Sequence, residues 1–234
     1  MVIDDRLELM SRGELVVTGR LIDASNATLY ATVGDGDKSM ACIYKPIAGE
    51  RPLWDFHDGS LAHREYAAYL VSSAMGFDLV PLTILRQGPF GEGMVQEWID
   101  IDESVDLAAF FSLDLAPLRT MALFDAIINN TDRKIGHLLP TKSGKLYGCD
   151  HGVTFHREDK LRTVLWQWSG DRLTDSEIEL IKKTLAILST TLDLSPYLHS
   201  EEITALHQRL ERLIETALMP VPSTDWPPIP WPAF

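Results

Sequence analysis

Cysteine is nearly absent: Cys42 and Cys149 are the only two in 234 residues. That excludes a disulfide framework and any zinc-type cysteine pair, and two buried thiols in a reducing compartment are expected instead. Basic residues are scarce, 21 Lys and Arg against 34 Asp and Glu, giving a net charge of −13. Such a surface repels nucleic acid, so neither DNA nor RNA is expected as a main partner. No stretch approaches the ~18 consecutive apolar residues of a membrane span. The opening Met1-Val2-Ile3-Asp4-Asp5 lacks the basic and then apolar regions of a signal peptide. The expectation is a cytoplasmic protein without a transmembrane segment.

Hydrophobic residues make up 45% of the chain, enough for a substantial core. The N-terminal third reads as strands: Leu15 to Thr18, Thr28 to Val33 and Met40 to Lys45, with Gly34-Asp35-Gly36-Asp37 as a turn between the last two. Residues 46–59 have no periodicity and read as a loop. Leu61 to Met75 reads as a helix stopped by Gly76, with Ala62, Tyr66, Tyr69, Leu70 and Ser73 as its inner stripe. Leu82 to Arg86 and Met94 to Ile99 follow as strands. Leu118 to Ile128 is a helix apolar nearly all round, hence buried. Thr174-Asp175-Ser176-Glu177 is a capping box before a helix, and Ser200 caps a second one with Ile203, Leu206, Leu210, Leu213 and Ala217 inside. The tail after Pro220 is too rich in proline for regular structure. Strands first and helices later make an α+β chain.

The polar punctuation of this pattern carries the chemistry. Asn129-Asn130-Thr131-Asp132-Arg133 ends the apolar helix, and Tyr147-Gly148-Cys149-Asp150-His151-Gly152 follows a short strand. Two carboxylates so placed have the layout of a kinase catalytic loop and its metal-binding aspartate. The segment resembles the phosphatidylinositol 3-/4-kinase branch of the kinase-like superfamily, whose loop reads N-T-D-R-x-x-x-N followed by D-x-G. HipA-type toxin kinases share the plan, and the likeness is nearest to an uncharacterised bacterial family of such proteins. It covers roughly residues 14 to 170. His137 stands where the family has asparagine.

The resemblance implies a two-lobed kinase-like fold: residues 1–99 an N-lobe with the nucleotide-binding sheet and one helix, and 100–234 a mostly helical C-lobe with the catalytic loop. It also implies ATP with Mg2+ or Mn2+ as cofactors and an unknown small-molecule or protein acceptor. Asp132 would be the catalytic carboxylate, orienting the acceptor hydroxyl. Asp150 and His137 would hold the metal. An oxygen ligand suits magnesium; an imidazole prefers a softer ion and would titrate near its reference pKa of ~6.5. Lys45, at a strand end, would contact phosphate and be held by Glu65. Ser25, Asn26 and Thr28 would replace the missing glycines of the phosphate loop through side-chain donors. The backbone around Gln96, Glu97 and Trp98 would meet the adenine. Asp125, a carboxylate in an apolar helix, would brace the catalytic loop.

Each residue also has an ordinary reading. Lys45 and Glu65 could be surface residues, Asp132 a turn aspartate, Ser25 to Thr28 only a turn, and Trp98 a core residue. The segment from His156 to Arg162 could receive an anionic acceptor or be a solvated loop. Two other functions stay open. One is a pseudokinase that binds nucleotide and acts through a partner. The other is a metal hydrolase built from His57, His137, His151 and His156 with Asp132 and Asp150, although no metal-ligand spacing supports it.

Overall fold

The computed structural model describes residues 5–21 and 26–234. Five antiparallel strands form one sheet in the order β1-β2-β3-β5-β4: β1 Glu14–Arg20, β2 Leu29–Gly34, β3 Ser39–Pro46, β4 Thr83–Gly88 and β5 Gly91–Glu97. A two-stranded hairpin, β6 Leu138–Pro140 with β7 Leu146–Gly148, stands apart from it. Six helices complete the described residues: α1 Asp5–Arg12, α2 Leu61–Met75, α3 Leu107–Phe110, α4 Ala116–Ile128, α5 Asp175–Thr190 and α6 Ser200–Thr216. The chain is thus α+β with an antiparallel sheet. Among the described residues no helix is long and apolar enough to cross a membrane.

Strand alternation decides which side chains enter the sheet's own core. Leu29, Ala31 and Val33 of β2 are buried in turn, and on β3 the buried Cys42 and Tyr44 join them. Side chains two apart share a face, so Ile43 and Lys45 point to the other one. Met10 of α1 packs into the same small cluster with Leu82, Ile84 and Val95. A larger apolar cluster joins α2, α4, α5 and α6 through residues such as Val71, Phe124, Ile181 and Leu206. Helix α2 belongs to this larger cluster by Ala67, Ala68, Val71 and Met75, while Tyr69 touches both.

Several expectations need correction. The bounds of α2 are as expected, with Gly76 left-handed at φ 71°. Of the expected stripe Ala62 is buried, but the buried face runs on through Leu61, Arg64, Glu65, Ala67, Ala68, Val71, Ser72 and Met75. Tyr66 is only half-buried and Ser73 is exposed. Two charged residues turn inward because each meets an opposite charge, Arg64 on Glu202 and Glu65 on Lys45, which hydrophobicity alone does not reveal. The cap of α6 is His199, whose N–H donates to Glu202 Oε2 at 3.0 Å; Ser200 is already helical. Ala217 lies beyond the helix in a left-handed conformation, φ 51°. Cys42 is buried as expected, but Cys149 is only partly so. Helices α1 and α3 lie where no helix was expected.

Gly93 on β5 pairs with Pro46 across the sheet. A Cβ there would lie 2.4 Å from the Lys45 carbonyl oxygen and 2.7 Å from Pro46 Cα, both backbone atoms. At Gly19 on β1 the nearest atom would be 3.9 Å away. Gly93→Ala should therefore cost about 1–3 kcal/mol by overpacking, whereas Gly19→Ala should change stability little. Urea unfolding of both variants checks this; equal stabilities would contradict it.

Candidate functional site

The apolar helix α4 ends at Asn129, left-handed at φ 52°, and releases a loop tied down at every step. Asp125, fully buried, accepts from Arg133 Nε at 3.1 and 3.0 Å, from Arg133 Nη2 at 2.8 Å and from Asn130 Nδ2 at 2.9 Å. Asn130 Oδ1 then accepts the Asp132 N–H at 3.0 Å. Arg133 Nη1 donates to the Cys149 carbonyl at 3.0 Å. One buried ion pair therefore fixes both the loop of Asp132 and the strand end of Asp150. Asp125 braces the loop, as its place in an apolar helix suggested. The last residues of the chain join in: Ile135 N–H donates to the Ala233 carbonyl at 2.9 Å and Thr163 N–H to that of Pro228 at 3.0 Å.

Asp150 follows β7 with φ 62°, a conformation unusual for a residue with a Cβ. Its Oδ1 lies 2.9 Å from Lys45 Nζ, and Glu65 Oε1 lies 2.6 Å from the same nitrogen. The sheet, α2 and the segment after β7 meet at this ammonium. Burial alone would lower the Lys45 pKa, but Asp150 and Glu65 outweigh it and hold it above its ordinary value. Asp150 is half exposed. The Lys45 charge keeps its carboxyl well below the usual range. Glu65 is raised by burial, against the pull of Lys45. Its Oε2 accepts the His151 N–H at 2.8 Å.

His137 caps a short 3-10 turn, Ile135–His137, in front of β6. Its Nε2 lies 3.4 Å from Asp150 Oδ2, and its Nδ1 accepts the Lys134 N–H at 3.4 Å. In the neutral ring this leaves the proton on Nε2, facing Asp150. Burial pulls its pKa down to about 4. The titration near 6.5 expected from sequence is displaced accordingly. Asp132 is raised, chiefly by burial, with Lys134 Nζ opposing from 3.4 Å.

Two cavities meet at Lys45 and Asp150, which line both. The larger, about 1260 Å³, also takes in Thr28, Ile43, Gln96, Trp98 and His137. The smaller, about 380 Å³, holds Asn26, Glu65, Asp132 and Arg162. With Glu97, which also lines the larger one, eight expected residues thus divide between the two spaces around a shared pair. Asn26 Oδ1 accepts the Arg51 N–H at 2.9 Å, Thr28 is buried, and Ser25 lies outside the described residues. Gln96 turns its amide to Thr83 Oγ1 at 2.8 Å. The N–H groups of Glu97 and Trp98 donate to the carbonyls of Leu82 and Ala41. Trp98 is 38% exposed and stands edge-on to Tyr30 rather than in the core.

Sequence reasoning missed Glu50, whose carboxylate accepts the first N–H groups of α2, from Leu61 and Ala62, at 3.1 and 2.8 Å. It also missed Trp54 and Trp226, which flank Lys160. Nothing in their neighbours along the chain signals either role. A metal fits this site only in part. Asp150 offers a half-exposed oxygen ligand, but among the described residues no three His, Cys, Asp or Glu side chains are grouped to hold an ion. Phosphate and water oxygens would have to complete the shell, as is usual for magnesium.

His151 is fully buried, and burial with the Arg133 charge pushes its pKa well below the ordinary value. The fold therefore rejects a proton that the unfolded chain takes up below pH ~6.5. This contribution is full above that pH and is lost as the pH falls. His137 adds to the loss down to about 4. Urea midpoints of metal-free protein should fall between about pH 6.5 and pH 4.5, and less steeply for His151→Gln. Flat midpoints over that interval would contradict the assignment.

No family model matches the chain. Protein Rv2133c of Mycobacterium tuberculosis (strain ATCC 25618 / H37Rv) is 41% identical over 268 aligned positions, covering 99% of this chain and 96% of that protein. Among solved structures, the crystal structure of a Helicobacter pylori proinflammatory kinase, CtkA, is similar with a TM-score of 0.48 and 10% identity, over 90% of this chain and 94% of that one.

Proposed function

The chain belongs to the same family as Protein Rv2133c of Mycobacterium tuberculosis, and for it we propose an ATP-dependent phosphotransferase of two-lobed, kinase-like build, akin to the phosphatidylinositol 3-/4-kinase type. One observation carries the reading. Lys45 Nζ stands between Glu65 at 2.6 Å and Asp150 at 2.9 Å, where a large and a small cavity join. A cation held by one carboxylate next to a second, half-exposed carboxylate suits a phosphate chain with its counter-ion.

The larger cavity would hold the nucleotide, with Lys45 on its phosphates and Trp98 and Thr28 in its wall. Asp150 would hold a divalent metal, which when bound neutralises charge on the phosphates. His137, with its Nε2 proton toward Asp150, would orient that carboxylate. Asp132 would sit on the acceptor side and take the hydroxyl proton. Its raised pKa moves it toward the range useful to a general base.

A nucleotide-binding pseudokinase is the second reading. It is favoured by the imidazole of His137 at the asparagine position and by its tautomer, which offers no lone pair toward Asp150.

Nucleotide with metal should raise stability by about 2.7 kcal/mol at a hundredfold excess over the dissociation constant, and Asp150→Ala should abolish the metal-dependent part. His137→Asn should leave the order of Mg2+ and Mn2+ unchanged, with no added pH response between about pH 7 and pH 6, because the ring is already neutral there. Thermal melts with ATP and each metal read both. No shift in any melt would sink the nucleotide site.

A further inference from the structure

The smaller cavity has a chemistry that the nucleotide reading does not use. Two of its four cations are answered, and a third, Arg51, is exposed to solvent. Lys45 is paired with Glu65 and Asp150, and Lys160 lies 3.3 Å from both Asp55 Oδ2 and Glu158 Oε2. Arg162 differs. It lines the cavity, and its positive charge acts on Asp132. Yet among the described residues its guanidinium has no hydrogen-bond partner, and no carboxylate lies within ion-pair distance. Its position is fixed by its own N–H, which donates to the Asn130 carbonyl at 2.9 Å in the Asp132 loop. A guanidinium held beside a cavity without an anion is half of a recognition pair.

Part of the wall is aromatic, from Trp54, Phe56 and Trp226. The Lys160 ammonium lies 4.8 Å from the centre of the Trp54 ring and 4.7 Å from that of Trp226. These contacts, together with Asp55 and Glu158, hold a nearly buried lysine between two indoles. Trp54 is 85% exposed. An exposed indole on a cavity wall offers a flat apolar face for the carbon skeleton of a ligand. The volume of about 380 Å³ is at the small end of the ~300–1,000 Å³ usual for ligand sites.

We propose that this cavity is the acceptor site, and that it takes a small, freely diffusing molecule bearing both a hydroxyl and an anionic group, with the anion on Arg162 and the carbon skeleton against Trp54. This rests on the phosphotransferase reading and names its substrate class. The hydroxyl oxygen forms a bond to the γ-phosphorus of ATP, the bond from that phosphorus to the β-γ bridging oxygen breaks, ADP leaves, and the hydroxyl proton passes to Asp132. The charge of −13 opposes approach to an anionic membrane. A small anion meets mainly the local charge of Arg162 under screening, whereas a membrane meets the whole acidic surface, so a free molecule is favoured over a lipid headgroup.

The binding measurement needs no nucleotide, so it stands apart from turnover. Intrinsic tryptophan fluorescence is titrated with glycerol 3-phosphate, glucose 6-phosphate and glycerate, with neutral glycerol and glucose, and with phosphatidylcholine vesicles containing phosphatidylinositol. At least one free anion should bind saturably and more tightly than its neutral parent. Arg162→Gln should weaken it about tenfold or more, as expected for one charge-assisted hydrogen bond. Trp54→Ala, at an exposed site, should weaken it too, with the native circular dichroism spectrum kept in both variants. No binding by any free anion, equal binding of neutral parents, or binding to the vesicles alone overturns the proposal. So does a loss of ATP–metal affinity in Arg162→Gln without acceptor, which would assign Arg162 to the nucleotide. Anion binding without ADP formation would uphold the cavity's ligand class and refute only the transfer step.

Discussion

The site depends on one ammonium between two carboxylates. Lys45 comes from the sheet, Glu65 from α2, and Asp150 from the segment after β7, 105 residues further along the chain than Lys45. The two carboxylates repel each other, which is visible in the contribution of Asp150 to the raised Glu65. Only Lys45, or a cation in its place, makes their approach stable. Glu65 is buried and also accepts from the His151 amide, so it is the fixed partner. Asp150 is half exposed and is the one free to turn to a ligand.

A second constraint lies beneath the first. Asp125 and Arg133 form a fully buried pair. Removing one member of such a pair typically costs about 3–5 kcal/mol, because the other is left charged in the interior. Arg133 reaches from Asp125 to the Cys149 carbonyl and to His151 Nε2, at 3.0 and 2.7 Å. The two carboxylates assigned to chemistry, Asp132 and Asp150, therefore sit one residue away from anchored backbone on either side of the same guanidinium. Left-handed Asp150 follows the Cys149 carbonyl anchored by this network, whereas left-handed Asn129 is held by its own side chain, which bonds to the backbone of His156, Glu158 and Lys160.

Much of this was legible in the sequence, and the reason differs by element. The strands and the long helices were marked by period and by turn residues, as at Gly34 to Asp37 and Gly76. The meeting of Lys45, Glu65 and Asp150 followed from a motif likeness, not from periodicity. On α2 the motif likeness set Glu65 against Lys45, but Arg64 looks like a solvent residue until Glu202 is found opposite it. Helix α1 escaped because its eight residues bury only Met10. The Trp54 and Trp226 wall could not be foreseen, since 172 residues separate two side chains that share one lysine.

Phosphoryl transfer from ATP is the central claim, and 31P NMR of the products tests it most directly. Purified protein with ATP, Mg2+ or Mn2+ and a hydroxyl acceptor should convert the γ-phosphorus signal into a phosphate ester or free phosphate, leaving ADP. Asp132→Asn should slow this by the ~10²–10⁴-fold typical of a lost general base, with nucleotide affinity little changed. AMP and pyrophosphate would instead indicate transfer of the nucleotide moiety. An unchanged ATP spectrum in the presence of demonstrated nucleotide binding would contradict the account and leave a pseudokinase.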